Sequence, residues 1–483
     1  MKLPADPLEM SLTEAFFALE AGAVSSRELT AAALDRAHAV QPTLNAFIRF
    51  NDDQALAAAQ AVDARRARGE ALGPLAGVPL AYKDMFYRQG QVCTCGSRLR
   101  EHWRAPVTAT VLERLDAAGA VDLGTLHMTE FAYGPTGQNG WRGDAHNPWD
   151  PTCISGGSSS GPAIAVATRS AYGALGSDTA GSVRLPAALC GITGMKVTHG
   201  RVSRFGCMPL SGSLDTVGPL TRGVADNALL LSLIAGTDTR DPATLPFQQA
   251  LPDDYCAAAA PPTLDAPLHG LRIGLPRGYF DRHLDPHVQA RLDEAARLLE
   301  DAGARCVEVP MPAELDAINA AGVLLNWGDV ISLHGPHLRD QAALFSAQTR
   351  GRIEVALAAS AQDYLDAQRY RGQAVQHFAK HVFSACDVLM APVLSMATPR
   401  LDQVDVNGGP EMISILDEIT RLTRPANVLG LPALALPCGF MPSGPPVGMQ
   451  LMGRPFAEAL LYRIGAAYQQ RTAWHTFTPP LPY

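Results

Sequence analysis

The chain has 483 residues, 47% hydrophobic and 18% charged, a composition that supports a large buried core and excludes extended disorder. Lys plus Arg number 39 against 47 Asp plus Glu, a net charge of −8 with no basic block to track a phosphate backbone, so direct nucleic-acid binding is excluded. No run approaches the roughly 18 apolar residues of a membrane span, and the start MKLPADPLEM lacks the layout of a signal peptide, so a soluble cytoplasmic protein with no membrane association is expected.

Residues 1–70 read as a helical segment: Ser11 with Glu14, and Ser25 with Glu28, form S-x-x-E capping boxes ahead of apolar-periodic runs, and the Ala-, Gln- and Arg-rich 51–69 stretch continues the pattern. The run GVPLAYKD, 77–84, is opened by Gly and Pro and reads as a short buried strand that carries one Lys, Lys83. An amphipathic helix over 108–118 is ended by Gly119, and a strand follows from 120 to 123. Residues 134–153 are loop-like. A helix spans 224–235, and 237–268, rich in Pro, Ala and Asp without a period, reads as a surface insertion.

Strand, helix and strand return at 271–275, 286–302 and 306–309, and most of 313–383 is helical, a second insertion that shapes the substrate side. Short buried strands stopped by Pro are expected at 388–392 and 433–437, and a final helix at about 457–470. Alternation of helix and strand makes this an α/β protein. No fixed-period repeat or low-complexity tract divides it, so residues 1–483 are expected to form a single domain. Of nine cysteines only Cys93 and Cys95 are close, and that C-x-C lacks a second Cys/His pair at zinc-site spacing; free thiols in a reducing compartment, with no metal, are expected.

The densest chemistry lies between Cys153 and Thr198, where the clusters Gly156-Gly157-Ser158-Ser159-Ser160-Gly161 and Asp178-Thr179-Ala180-Gly181-Ser182 flank an Ala-rich apolar run. The first matches G-x-S-x-G, but a nucleophile elbow needs a strand before it, and NPWDPT cannot be one; a G-K-[ST] phosphate-loop ending is also missing. The second precedes VRLPAA, whose Pro suits the start of a helix. This puts Ser182 at a helix N-terminus, where outward N–H groups could hold an oxyanion. A serine needs a base, and the residues leave two readings of Lys83 open. Burial would lower its pKa and make it a proton acceptor, or it is a strand-end Lys reaching water beside Asp84.

Lys83 in GVPLAYKD, Ser158 in GGSSSGPA and Ser182 in GSDTAGSVRLPA resemble, in order and spacing, the Ser-cisSer-Lys triad of the amidase signature family. LGTLHMTEFAYGPTGQNGW, NPWDP, GRVSRFG, SLDTVGPLTR, PANVLGLPALALPCGF and PPVGMQLMGRPF also look like family segments, so the resemblance covers most of the chain. It implies the amidase signature fold, a large mixed central β-sheet flanked on both faces by α-helices. It also implies a cofactor-free amidase in which Ser182 is the acyl-accepting nucleophile and Ser158, after a cis Gly157–Ser158 peptide, relays its proton to Lys83. Thr179, Ala180, Gly181 and Ser182 would supply oxyanion-hole amides. Asp178 and Arg184 would hold the turn as an ion pair, and Ser159 and Ser160 would lend hydrogen-bonding support. Phe131 and Tyr133 would lie near the acyl pocket. Two positions depart from the usual family glycines, Ser160 and Ala180; an Ala donates its amide as Gly does when φ is negative.

Arg369 and Arg371 either meet a substrate carboxylate or form a solvated helix face, the usual state of exposed charge. The expected reaction is cleavage of the C–N bond of a small amide through a Ser182 acyl-enzyme, releasing carboxylate and ammonia or amine. The alternatives are the glutamine-hydrolysing component of a tRNA-dependent amidotransferase, which passes ammonia to a partner, and a non-catalytic binding protein on the same fold. A homodimer is the default assembly.

Overall fold

The computed structural model describes residues 4, 6–247, 254–404, 409 and 411–480. Among these, eleven strands form one sheet: β1 (Phe47–Phe50), β2 (Pro79–Lys83), β3 (Val121–Leu126), β4 (Gly173–Asp178), β5 (Thr193–Lys196), β6 (Thr216–Thr221), β7 (Arg272–Arg277), β8 (Arg305–Pro310), β9 (Val388–Pro392), β10 (Ala433–Phe440) and β11 (Pro446–Met452). Their order is β1-β3-β2-β4-β6-β5-β10-β11-β9-β7-β8. β2 runs parallel to β3 and β4, and β7 to β8 and β9, while the other pairs are antiparallel.

Helices cover both faces. Leu434 and Leu436 of β10 approach Gly465 in the Glu458–Gln469 helix, whereas Gly448 of β11, opposite Pro437, approaches Ala188 in the Arg184–Cys190 helix. Central strands covered in this way have no solvent face, and every residue of β2, β4 and β11 is buried. The Ser160–Ala167 helix is apolar all round and likewise buried along its whole length. No helix among the described residues is long and apolar enough to cross a membrane.

Both capping boxes form, and Ser11 and Ser25 start the Leu12–Glu20 and Ser26–Leu44 helices. The first 70 residues are not wholly helical, however: β1 pairs antiparallel with β3 and forms a sheet edge. At four residues, FIRF is too short to interrupt a helical pattern visibly. Strands β4, β5, β6 and β11 also go beyond the sequence expectation. β4 (GALGSD) is poor in β-formers and β6 (TVGPLT) is interrupted by Gly218 and Pro219, so pairing with their neighbours is what makes them strands. Part of the 237–268 segment, 248–253, lies outside the described residues. Its flanks are built into the fold: Asp238 accepts from Ser203 Oγ at 2.7 Å, and buried Tyr255 packs on Tyr462. Helices Leu315–Gln341, Ala347–Ala356 and Ala361–Ala385 occupy the 313–383 region.

Gly176 and Gly218 face each other across β4 and β6. A Cβ at Gly176 would meet the Ser159 side chain, and one at Gly218 would collide with the Met195 carbonyl oxygen of β5. Backbone cannot yield as a side chain can. Gly218→Ala is therefore expected to destabilise the protein by about 1–3 kcal/mol, the usual cost of overpacking, read as a lower midpoint in urea unfolding.

Candidate active site

Lys83, the last residue of β2, is fully buried, and its Nζ donates to Ser158 Oγ at 2.8 Å and Ser177 Oγ at 2.9 Å. Burial lowers its pKa to about 7, despite the opposing charges of Asp215 and Asp178. Lys196 is equally buried and also lowered to about 7, but its Nζ donates to the carbonyls of Val197 and Leu431 at 3.0 and 2.7 Å. Carbonyls have no proton to give, so of these two buried amines only Lys83 faces hydroxyl groups with which a proton can be exchanged.

Ser158 follows a cis peptide bond from Gly157. The loop is packed too closely for side chains: a Cβ on Gly157 would sit 2.8 Å from the Gly134 carbonyl and the Gly137 amide. Ser159 N–H donates to the Ser182 carbonyl at 3.3 Å, which seats the two Gly/Ser clusters against each other. Ser159 Oγ bonds the Ser177 backbone, and Ser160 Oγ lies 3.2 Å from His127 Nδ1.

Ser182 lies in the turn between β4 and the Arg184–Cys190 helix, two residues ahead of that helix and on the wall of a cleft. Asp178 holds the turn. Its carboxylate accepts the amides of Gly181 (2.9 Å), Val183 (3.2 Å) and Arg184 (3.3 Å), and Arg184 Nε and Nη2, each at 3.1 Å. Burial pushes the Asp178 pKa up, but the Arg184 guanidinium and the surrounding donors outweigh it and hold it at about 2. The Gly181 assignment is therefore corrected: its N–H points at Asp178 and is not available to an oxyanion. Among the described residues, the amides of Thr179, Ala180 and Ser182 have no protein acceptor.

The cleft, of ≈ 70 Å³, is lined by Tyr133, Gly134, Thr179, Ala180, Ser182, Trp327, Arg352, Asp417 and Arg424 among others. Arg352 lies 3.7 Å over the Tyr133 ring and donates to the Tyr133 carbonyl at 2.7 Å; its buried Nε has no partner, and among the described residues no carboxylate pairs with it. Arg424 donates to Asp417 and Asn319, each at 2.7 Å. Tyr133 thus lies at the cleft, but Phe131 does not: it packs on His334 and Phe345, ring centroids 4.4 and 5.7 Å away. Neither Arg369 nor Arg371 reaches the cleft. Arg369 pairs with Asp366 on an exposed helix face, and Arg371 donates to the carbonyls of Val428 and Ser213. Sequence reasoning misses Arg352, Asp417, Arg424 and Ser177. Arg352 and Asp417 stand in helical stretches with no motif, whereas Arg424 directly precedes PANVLGLPALALPCGF and Ser177 lies beside Asp178.

The chain that brings a buried Lys into contact with the Ser158 hydroxyl, with Ser182 on the wall of the neighbouring cleft, falls by comparison with known proteins into a family of hydrolases. The Amidase family model matches residues 28–462, and the chain belongs to that family of C–N hydrolases. It is 41% identical to the A subunit of the glutamyl-tRNA(Gln) amidotransferase of Chloroflexus aurantiacus, over 98% of each chain. It is 33% identical, with a TM-score of 0.87 over 98% of this chain and 100% of the other, to a protein solved in work on a vestigial complex and the origins of an s-triazine catabolic enzyme. The peptide amidase of Stenotrophomonas maltophilia is 31% identical with a TM-score of 0.81, over 98% of each chain.

Asp178→Asn removes the charge that compensates a wholly buried guanidinium. A loss of about 3–5 kcal/mol is expected, measured by denaturant unfolding of the purified variant.

Proposed function

We propose that this chain is a cofactor-independent amidohydrolase acting on small amides whose acyl part carries a carboxylate, with glutamine, used as a nitrogen donor within an amidotransferase, as the leading candidate. The reaction rests on the Lys83–Ser158 contact beside Ser182. Neutral Lys83 keeps one N–H on Ser177 Oγ, while its lone pair takes the Ser158 hydroxyl proton as Ser158 takes that of Ser182. Ser182 Oγ attacks the amide carbonyl, and the amides of Thr179, Ala180 and Ser182 stabilise the oxyanion. The relay returns the proton to the leaving nitrogen, and water then hydrolyses the acyl-enzyme.

The observation that carries the substrate reading is Arg352, a guanidinium on the cleft wall which, among the described residues, pairs with no carboxylate. It fits a substrate carboxylate, and Asp417, half exposed and bonded through one oxygen to Arg424, offers its other oxygen to an α-ammonium. Relatives named as components of glutamyl-tRNA(Gln) amidotransferases, at about 40% identity along the chain, support glutamine and a partner that receives ammonia. The likeness to a peptide amidase supports a second reading, a stand-alone amidase.

The chain, purified alone or with a co-purified partner, is expected to release ammonia from glutamine or succinamate faster than from butyramide, and Ser182→Ala to lose at least about 10³-fold of this activity. Full activity in that variant would end the proposal. Glutamine hydrolysis that requires a co-purified partner would favour the amidotransferase, and turnover by the chain on its own the stand-alone enzyme. Because only the neutral amine accepts a proton, kcat/KM is expected to fall about tenfold per pH unit below about 7 and to level off above it, as a pH–rate profile would record.

A further inference from the structure

Glu130 is a buried carboxylate which, among the described residues, has no Lys or Arg paired with it, a costly arrangement that needs a dense set of donors. It has four: Ser97 Oγ at 2.5 Å and Trp141 Nε1 at 3.2 Å on one oxygen, Ser346 N–H at 2.9 Å and Ser346 Oγ at 2.5 Å on the other. The two following residues, Phe131 and Ala132, have φ of 52° and 59°. Consecutive left-handed residues that carry a Cβ are strained, and persist only where the surroundings enforce them.

That turn directs two groups at one helix. Ser346 is the N-cap of Ala347–Ala356, its Oγ accepting the Thr349 amide at 3.3 Å, and Glu130 holds the cap. Three residues after Glu130, the carbonyl and ring of Tyr133 hold Arg352 in the same helix, at 2.7 and 3.7 Å. We propose that Glu130 is a positioning residue for specificity: by clamping the N-cap it sets the rotation and height of the helix that presents Arg352 to the cleft. The inference rests on the reading of Arg352 as the substrate-carboxylate partner. Glu130 does not line the cleft, and its carboxylate bonds Ser97, Trp141 and Ser346 and none of Lys83, Ser158 and Ser182, so its loss acts on recognition and spares the chemistry.

The test compares Glu130→Gln, Ser346→Ala and Arg352→Gln on succinamate and on neutral butyramide. Glu130→Gln is expected to raise KM for succinamate roughly tenfold, with kcat and the butyramide parameters within about twofold, and to add nothing in combination with Arg352→Gln, because the two act as one unit. Ser346→Ala removes only the hydroxyl of the clamp and is read in the same way if Glu130→Gln does not fold. If Arg352→Gln shifts both substrates equally, the carboxylate reading falls. If Arg352→Gln is selective while the clamp variants leave KM unchanged, or lower kcat equally for both substrates, the positioning role is overturned.

Discussion

The buried pair of Asp178 and Arg184 is the interaction on which the site depends. Both side chains are wholly out of water, and an ion pair in that position is tolerable only when the remaining donors and acceptors are satisfied. Arg184 reaches Gln450 and Asn427 at 2.7 Å each, Asn427 returns a bond to Asp178 at 2.9 Å, and Gln450 binds the carbonyls of Pro392 and Leu422. The turn that carries Ser182 is in this way tied to the strands β9 and β11 and to the Arg424–Val428 helix. One salt bridge sets the backbone of the Ser182 turn and, by engaging the Gly181 amide, decides which of its amides are left without a protein acceptor.

Lys83 illustrates how burial alone falls short of a function. Lys83 and Lys196 are both buried and brought down to about 7 by the same desolvation. What separates them is the chemistry of their neighbours, since hydroxyls accept and release protons whereas carbonyls only accept. The hydroxyls around Lys83 come from β4 and from the loop that leads into the Ser160–Ala167 helix. These segments meet because glycines at 157, 176 and 218 let backbone and small side chains approach where a Cβ would intrude.

The cleft adds charge to this chemistry. Arg352 and Arg424 stand there with Asp417, and the helix carrying Arg352 is gripped at its cap and at its guanidinium by a single strained turn. These charged side chains come from the helical region between β8 and β9 and from the segment before β10.

Much of the site is legible in the sequence because its residues lie in short local motifs: Lys83 in an apolar run, Ser158 and Ser182 in Gly/Ser clusters, and Asp178 and Arg184 six residues apart. The capped helices and strands with apolar runs are legible for the same reason. β4 and β6 are not, because their Gly and Pro carry little strand propensity and acquire it only from pairing. Phe131 and Tyr133, two residues apart in one aromatic-rich stretch, diverge to core and cleft because left-handed backbone lies between them. Arg352 bears no local mark, and its place at the cleft is fixed by a contact with Tyr133 more than 200 positions earlier in the chain. The sequence by itself determined the candidate Lys and Ser motifs and the helix starts, since these depend on neighbours within a few residues. Tertiary structure alone decided the strand pairing, the direction of the Gly181 amide and the charge in the cleft, because each depends on which distant backbone or side chain lies opposite.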